Sequence, residues 1–272
     1  MKNNLTEKDI ENLNKWAEKY DIEELKIKDK EKIFNLKGLY IGSGNLTELP
    51  KEIGNLTNLK ELYIMSDDLT KLPKEIGNLT NLKELYIDCK SLRKLPKEVG
   101  NLINLKELSI NRDDLTELPK EIGNLINLKK LYIDCKSLRK LPEDIKNLIN
   151  LKRLKISCYD LELTRKIGNI INLETLYIIT NNLETLPSEI GKLINLETLY
   201  IWSDVDGLIE LPKEIGNLTN LKMLDIKCNN LKELPKEIYN LINLKALYIM
   251  SDNLESFPDG IERLTNLESL AI

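Results

Sequence analysis

Histidine is absent from the 272-residue sequence. Its absence removes the general base of Ser-His and Cys-His catalysis and the imidazole ligand that many zinc sites use. The glycines are spread one to a repeat, so no glycine-rich phosphate loop forms, and no apolar run reaches the length of a membrane-spanning helix. The net charge of −4 gives no general attraction to nucleic acid or membrane. We therefore expect no catalytic residues, no metal and no cofactor, and a partner that is neither nucleic acid nor membrane.

What the sequence has is one repeated segment that starts at Leu36 and runs to the last residue. Its opening leucine recurs every 23 residues, except for one step of 22 and one of 25. The opening leucines are Leu36, Leu59, Leu82, Leu105, Leu128, Leu151, Leu173, Leu196, Leu221, Leu244 and Leu267. A fixed period of this size is typical of a solenoid, whose repeats bury a continuous core only by stacking. We therefore predict one elongated body over residues 36–272, with ten full copies and a truncated eleventh.

Each copy reads Leu-x-x-Leu-x-Ile, then another leucine, then Leu-Pro-x-x-Ile-x-x-Leu. This pattern resembles the leucine-rich repeat family, in the version that carries Leu-Pro-x-x-Ile-Gly-x-Leu on its outer side. The resemblance implies an α/β solenoid, a horseshoe with a concave parallel β-sheet and short helical or 3-10 segments on the convex side. It also implies a protein-binding surface, which is how most members of the family act.

The residues of one copy can be placed from their alternation. Leu62 and Ile64 flank Tyr63, so the two aliphatic side chains point inward and the tyrosine faces outward. Pro73 suits the start of a helical turn, where its missing N–H would be unpaired anyway. An asparagine precedes each strand, Asn81 in the second turn, and we expect this column to hydrogen-bond from turn to turn.

The cysteines all stand seven residues after the opening leucine of their copies, as Cys89, Cys135, Cys158 and Cys228. Serine or threonine fills this position in most other copies, so we interpret the thiols as small residues packed in a tight layer. A disulfide between neighbouring turns is disfavoured because side chains of parallel strands project side by side. A metal site is disfavoured because the spacing is whole repeats.

The family usually turns an asparagine inward one residue after this position, but here that column contains lysine and aspartate. A buried lysine without a partner would be very costly. We therefore expect the inward position to move to the Ser/Cys column. Asp67, Lys90, Asp113 and Lys136 would then form a charge ladder on the solvent side.

The chain departs from the repeat in two kinds of place. Residues 6–20 predict an amphipathic helix with Thr6 as N-cap, and residues 22–27 repeat the strand pattern too close to Leu36 for a full copy. We expect residues 1–35 to form an N-terminal cap, with helix 6–20 and a half-turn strand 22–27. The copy at Leu151 loses one residue, and that at Leu196 gains two within residues 204–210; both changes are expected to bulge locally.

The strongest functional pattern is the outward-facing middle residue of each strand, where seven of the ten tyrosines stand. Stacking of tyrosines along a sheet is one explanation of this column. A binding face is the explanation we favour, because Tyr and Trp anchor interfaces and a solvated sheet does not need Trp202. The aromatic and apolar residues predicted to bind a partner are Tyr63, Met65, Tyr86, Tyr132, Tyr177, Ile179, Tyr200, Trp202, Tyr248 and Met250.

Basic residues accompany this column in the middle of the chain. Glu61, Glu84 and Glu107 offset the earlier lysines, but no such glutamate stands in the strands of Lys129, Lys130, Lys152, Arg153 and Lys155. They form either a solvated surface or a docking patch for an acidic partner, and we add Lys130, Arg153 and Lys155 to the candidate site.

Together these patterns predict a non-enzymatic module that binds a partner protein through its concave face. A receptor for glycans or other surface ligands, and the targeting fragment of a larger effector or signalling protein, are the alternatives. The first residues lack the apolar run of a signal peptide, so we expect a cytoplasmic protein, or a secreted one if a leader has been removed. We expect a monomer, with an end-to-end dimer through Leu270 and its neighbours as the alternative.

Overall fold

The computed structural model describes residues 5–203 and 207–272. Over these residues eleven parallel strands form one open sheet in chain order. They are β1 Gly38–Gly42, β2 Glu61–Ser66, β3 Glu84–Cys89, β4 Glu107–Asn111, β5 Lys130–Asp134, β6 Arg153–Ser157, β7 Thr175–Thr180, β8 Thr198–Ser203, β9 Met223–Cys228, β10 Ala246–Met250 and β11 Ser269–Ala271. The predicted solenoid is therefore confirmed.

The register of the sheet follows the repeat period. Leu62 pairs with Leu85, Tyr63 with Tyr86 and Ile64 with Ile87 across β2 and β3. Such in-phase pairing stacks like residues in columns, so the inward leucines and isoleucines form one continuous buried core. The tyrosine column consequently lies on the opposite, concave face of the sheet.

Short 3-10 segments cover the convex side. Those between consecutive strands are Lys51–Asn55, Lys74–Asn78, Lys97–Asn101, Lys120–Asn124, Glu143–Asn147, Arg165–Asn169, Ser188–Lys192, Lys213–Asn217, Lys236–Asn240 and Ile261–Arg263. The glycine within these segments is needed because consecutive turns touch: a Cβ on Gly77 would lie 2.5 Å from the backbone oxygen of Glu98. Lys146 and Tyr239 replace this glycine where the following turn lacks the regular Leu-Pro-x-x-Ile-Gly sequence.

The asparagine column forms the predicted ladder. Asn81 Nδ2 donates to the Thr57 carbonyl at 2.8 Å, and Asn150 Nδ2 donates to the Ile126 carbonyl at 2.8 Å. Each bond satisfies a carbonyl at the turn of the preceding copy, just before its strand. The ladder therefore ties every repeat to the one before it.

The N-terminal cap was predicted correctly in its helix and wrongly in its strand. Helix α1 spans Glu7–Tyr20 with Thr6 as N-cap, and Trp16 Nε1 donates to the Glu48 carbonyl at 2.9 Å. Residues 22–27 do not form the predicted half-turn strand: a 3-10 helix spans Glu23–Leu25 instead, and α2 spans Lys30–Phe34. Asn14 Nδ2 donates to the Leu25 and Ile27 carbonyls, groups that a strand would use for pairing.

Among the described residues, none of the helices has both the length and the apolar character that a membrane span requires.

Two copies were predicted to bulge, the shortened one that opens at Leu151 and the lengthened one that opens at Leu196. In the copy that opens at Leu151, residues 165–169 keep the 3-10 segment, with Thr164 where other turns place proline. The shortening is thus absorbed without loss of a turn. The insertion at 204–210 lies partly outside the described residues, at 204–206.

Candidate binding face

The candidate residues divide into separate groups along the concave face, because not every strand carries an aromatic residue. Ser109 interrupts the tyrosine column on β4, and Asp225 interrupts it on β9. The groups are β1–β3 with Tyr63, Met65 and Tyr86; β5–β8; and β10 with Tyr248 and Met250.

Within the β5–β8 group, four side chains lie together on β7 and β8, and we call Tyr177, Ile179, Tyr200 and Trp202 the aromatic cluster. Tyr177 pairs in register with Tyr200, and their ring centroids are 5.5 Å apart. Ile179 pairs in register with Trp202. All of these side chains are half-buried on a face that no element of the described chain covers. Their packing therefore presents a large, preorganised apolar surface at one place.

A depression of about 510 Å³ lies between the aromatic cluster and the preceding strands. Tyr132, Arg153, Lys155, Thr175 and Thr198 line it together with the aromatic cluster. Its walls thus combine aromatic rings, hydroxyl groups and cations. Such a composition is suited to a ligand segment that is apolar at one end and anionic at the other.

Only part of the predicted basic patch is free to meet a ligand. Lys130 Nζ donates to Glu107 Oε2 of the neighbouring strand at 2.8 Å, and Lys152 pairs with Glu174. Arg153 and Lys155 are exposed and make no ion pair with any described residue. Lys130 also does not line the depression. The two cations available at the site are therefore Arg153 and Lys155.

The group on β2 and β3 has a different environment. Tyr63 donates its hydroxyl hydrogen to Glu84 Oε2 at 3.3 Å, and Tyr86 donates to Asp88 Oδ2 at 3.3 Å. Burial, together with these carboxylates, raises the pKa of both phenols. The hydroxyl groups are already engaged within the face, so this group is less available to a ligand.

The group on β10 is the smallest. Tyr248 donates to Ser269 Oγ at 2.9 Å, and Met250 is exposed. Asp225 separates it from the aromatic cluster, and burial raises the pKa of that carboxyl group. Sequence reasoning overlooked the next outward residue of β9, Lys227, whose Nζ lies 4.3 Å from the centre of the Trp202 ring. The in-register pairing of Trp202 with Lys227 was the pattern that would have revealed this cation–π contact.

The cysteines of the Ser/Cys column are buried as predicted, and the column contains one residue that the interpretation as small side chains missed. Burial raises the pKa of the Cys89 thiol to about 11 and of Cys135 and Cys228 to about 12, so these thiols stay protonated at neutral pH. Arg112 occupies the same column on the turn between Cys89 and Cys135 and is 1% exposed. Its Nη1 donates to the Leu92 carbonyl at 2.5 Å, whereas its Nε and Nη2 have no hydrogen-bond partner among the described residues.

The charge ladder beside this column is confirmed. Lys90 Nζ lies 3.0 Å from Asp67 Oδ1, and Lys136 Nζ lies 2.9 Å from Asp113 Oδ2. All of these side chains are exposed, as expected for a column displaced to the solvent side.

Comparison with known proteins agrees with this architecture. The profile described as "Leucine-rich repeat region" matches residues 13–143 and 204–272. The chain belongs to the leucine-rich repeat family. No curated protein sequence matches the chain.

Solved structures that are similar to the chain include bacterial and plant proteins. A leucine-rich repeat protein of Leptospira interrogans is 31% identical over 88% of this chain and 81% of that chain, with a TM-score of 0.41. An internalin of Listeria monocytogenes is 21% identical over 88% and 81% of the two chains, with a TM-score of 0.55. The plant peptide hormone receptor RGFR1 in complex with RGF2 is 25% identical over 88% of this chain and 45% of that chain, with a TM-score of 0.58.

Proposed function

We propose that this chain binds a partner protein through its concave face, centred on the depression over β5–β8. The family supports a protein-interaction role, since leucine-rich repeats generally serve as non-catalytic binding modules. The plant receptor shows one solved complex in which a protein with this fold holds a ligand. The observation that carries the proposal is the aromatic cluster that lines one depression together with Arg153 and Lys155.

The chemistry of the depression defines the partner segment. Arg153 and Lys155 lie on β6, and Trp202 lies on β8, two strand spacings away, about 10 Å. An extended peptide that crosses the strands covers this distance in about three residues. We therefore infer that the partner presents an exposed acidic residue about three positions away from an aromatic or large aliphatic residue.

Selection of displayed random peptides against the protein tests this proposal. Binders should carry the acidic and apolar residues at this spacing, and the triple variant Tyr177→Ala/Tyr200→Ala/Trp202→Ala should lose them. The matched control, Tyr63→Ala/Met65→Ala/Tyr86→Ala, removes a similar set of side chains from β2 and β3 and should keep them. Binders that are lost only in the control would move the site to the N-terminal strands. Glycan binding that depends on the same cluster, with no peptide binder, would favour the receptor alternative.

A further inference from the structure

A second apolar surface lies on the edge of the solenoid where the chain enters the strands. The residue before the ladder asparagine is an isoleucine in five consecutive copies, and we call this set the isoleucine ridge. It consists of Ile103, Ile126, Ile149, Ile171 and Ile194, each between 50% and 55% exposed. Thr80 and Thr219 occupy the equivalent position on either side of the ridge. With neighbouring turns roughly 5 Å apart, the ridge is about 20 Å long.

The asparagine ladder holds the backbone of the ridge in place. Asn127 Nδ2 donates to the Ile103 carbonyl at 2.8 Å, and Asn172 Nδ2 donates to the Ile149 carbonyl at 2.7 Å. The exposed isoleucines therefore project from a rigid edge rather than from a loose loop. A contiguous and preorganised apolar stripe of this kind is typical of an interaction surface.

The charges beside the ridge change sign near its middle. Three residues after each isoleucine stand, in order, Lys106, Lys129, Lys152, Glu174 and Glu197. An asparagine stands between each isoleucine and its charged residue. From Asn150 to Asn220, these asparagines and the charged side chains line a polar depression on the same edge. The ridge is thus flanked by a row that is basic at one end and acidic at the other.

We propose that the isoleucine ridge is the contact surface for a second copy of this chain. A two-fold axis lying in the contact plane, perpendicular to the ridge at Ile149, sets the two ridges antiparallel. Ile103 then faces Ile194 of the second copy, Lys106 faces its Glu197, and Lys129 faces its Glu174. A self-complementary surface is what an isologous dimer requires. Parallel ridges would set like charges opposite each other at both ends.

The local ion pairs allow this arrangement but keep it weak. At the axis Lys152 faces Lys152 of the second copy, and each of these lysines already pairs with Glu174 of its own chain. Glu197 is also paired within its own chain, since Lys222 Nζ lies 2.8 Å from Glu197 Oε1. These pairs are exposed, and exposed pairs contribute little, so the carboxylates can be shared with lysines of the second copy. Half-exposed side chains of five isoleucines fall short of the ~800 Å² that each partner buries in a standard interface. We therefore expect a dimer that dissociates on dilution.

Sedimentation of the full chain over a dilution series tests the proposal. Ile149→Lys places two lysines at the axis and should raise the dissociation constant by about tenfold or more. Thr80→Lys makes the same kind of change at the equivalent position outside the ridge and should leave the dissociation constant unchanged. Circular dichroism should show that both variants remain folded, since other copies carry threonine at this position.

A charge exchange tests the antiparallel arrangement. Lys129→Glu and Glu174→Lys should each weaken the dimer about threefold or more, and the double variant should restore it. A monomer at every concentration, or a dimer that Ile149→Lys leaves intact, would overturn the proposal. A dimer abolished by Leu270→Lys but not by Ile149→Lys would establish the end-to-end arrangement instead. Because the concave face is not involved, peptide binding there should be the same in Ile149→Lys as in the wild type.

Discussion

The concave face over β2–β4 and the same face over β6–β8 are built from one repeat, yet they differ in chemistry. Over β2–β4 the acidic residues Glu61, Glu84 and Glu107 lie in one register, and the tyrosine hydroxyls donate to carboxylates. Over β6–β8 the equivalent positions are Arg153, Thr175 and Thr198. The first region engages its tyrosine hydroxyls within the face, whereas the second places two cations and aromatic rings around a depression.

A column of identical residues therefore does not define a binding site by itself. Tyr63–Tyr86 and Tyr177–Tyr200 are similar ring pairs, with centroids 6.1 Å and 5.5 Å apart. What distinguishes them is the residue two positions before each tyrosine and the one two positions after. Those flanking positions, and not the repeated core, give each part of the solenoid its binding chemistry.

The core beneath the two regions differs as well, and Arg112 is where we expect the largest effect on stability. Arg112→Met keeps most of the side-chain volume and removes a buried charge, two of whose nitrogens find no hydrogen-bond partner in the part of the chain that the structure describes. Replacing a buried ionic group by an apolar one of similar size should raise the free energy of unfolding by about 1–3 kcal/mol. Urea unfolding followed by circular dichroism measures this change. Arg93→Met, at an exposed arginine, should change the free energy of unfolding by less than ~0.5 kcal/mol. A less stable Arg112→Met would mean that the bonds to the Leu92 and Cys89 carbonyls outweigh the cost of burial.

The next effect concerns the aromatic cluster. Trp202→Ala should weaken a selected acidic-apolar peptide by about 2 kcal/mol, or roughly 30-fold, if Trp202 is a binding hot spot. The fold should persist, because the indole packs on the outer face beside Lys227 rather than in the core. Tyr86→Ala, in the acidic region, should change affinity less than threefold, about 0.6 kcal/mol. Calorimetric titration of the same peptide into both variants compares the two regions directly, and equal losses would erase the distinction between them.

Much of the fold was predictable because a fixed period places every copy in phase. The inward leucines, the outward tyrosines, the asparagine ladder and the Asp67–Lys90 pair all follow from position within the repeat. Residues 22–27 were not predictable in the same way, since the spacing of Ile22 and Leu25 fits a helical turn as well as the start of a repeat. The carbonyl groups of Leu25 and Ile27 accept hydrogen bonds from Asn14, which lies on α1.

The site was predictable as a face but not as separate groups. The grouping depends on which residue each neighbouring strand sets opposite, as the pairing of Lys130 with Glu107 shows. Arg112 was missed because serine, threonine and cysteine dominate its column, and the sequence gives no sign that an arginine can be held there by backbone carbonyls. That the concave face binds a partner stays a prediction.

A smaller effect is expected from the cations. Arg153→Glu with Lys155→Glu should slow association of the acidic-apolar peptide by about tenfold at low salt and flatten its salt dependence. Lys130→Glu should have the weaker effect, because Glu107 already neutralises Lys130. Stopped-flow association rates over a range of ionic strength separate the variants. Equal rates in all of them would show that this part of the face is only solvated.

The smallest effect tests the self-satisfied region over β2–β4. Burial raises the pKa of Tyr63, and the Glu84 carboxylate raises it further. Glu84→Gln should therefore move the Tyr63 pKa down toward its ordinary value. A raised folded-state pKa means that Tyr63 loses its contribution to stability as the pH rises from the unfolded pKa through the folded one, so Glu84→Gln should soften this alkaline loss.

The pKa of Tyr63 is measured from the absorbance of tyrosinate as a function of pH. The contribution of Tyr63 is the difference between each protein and the same protein with Tyr63→Phe. As a control, Glu197→Gln removes the acidic group that directly precedes β8, far from Tyr63 on β2. It should leave the Tyr63 pKa unchanged from the wild type. If Glu84→Gln also leaves it unchanged, the hydrogen bond of 3.3 Å does not hold the phenol, and burial with the carboxylates of Glu61 and Glu107 sets its pKa. The contrast between the two regions would then rest on Trp202 and the two cations.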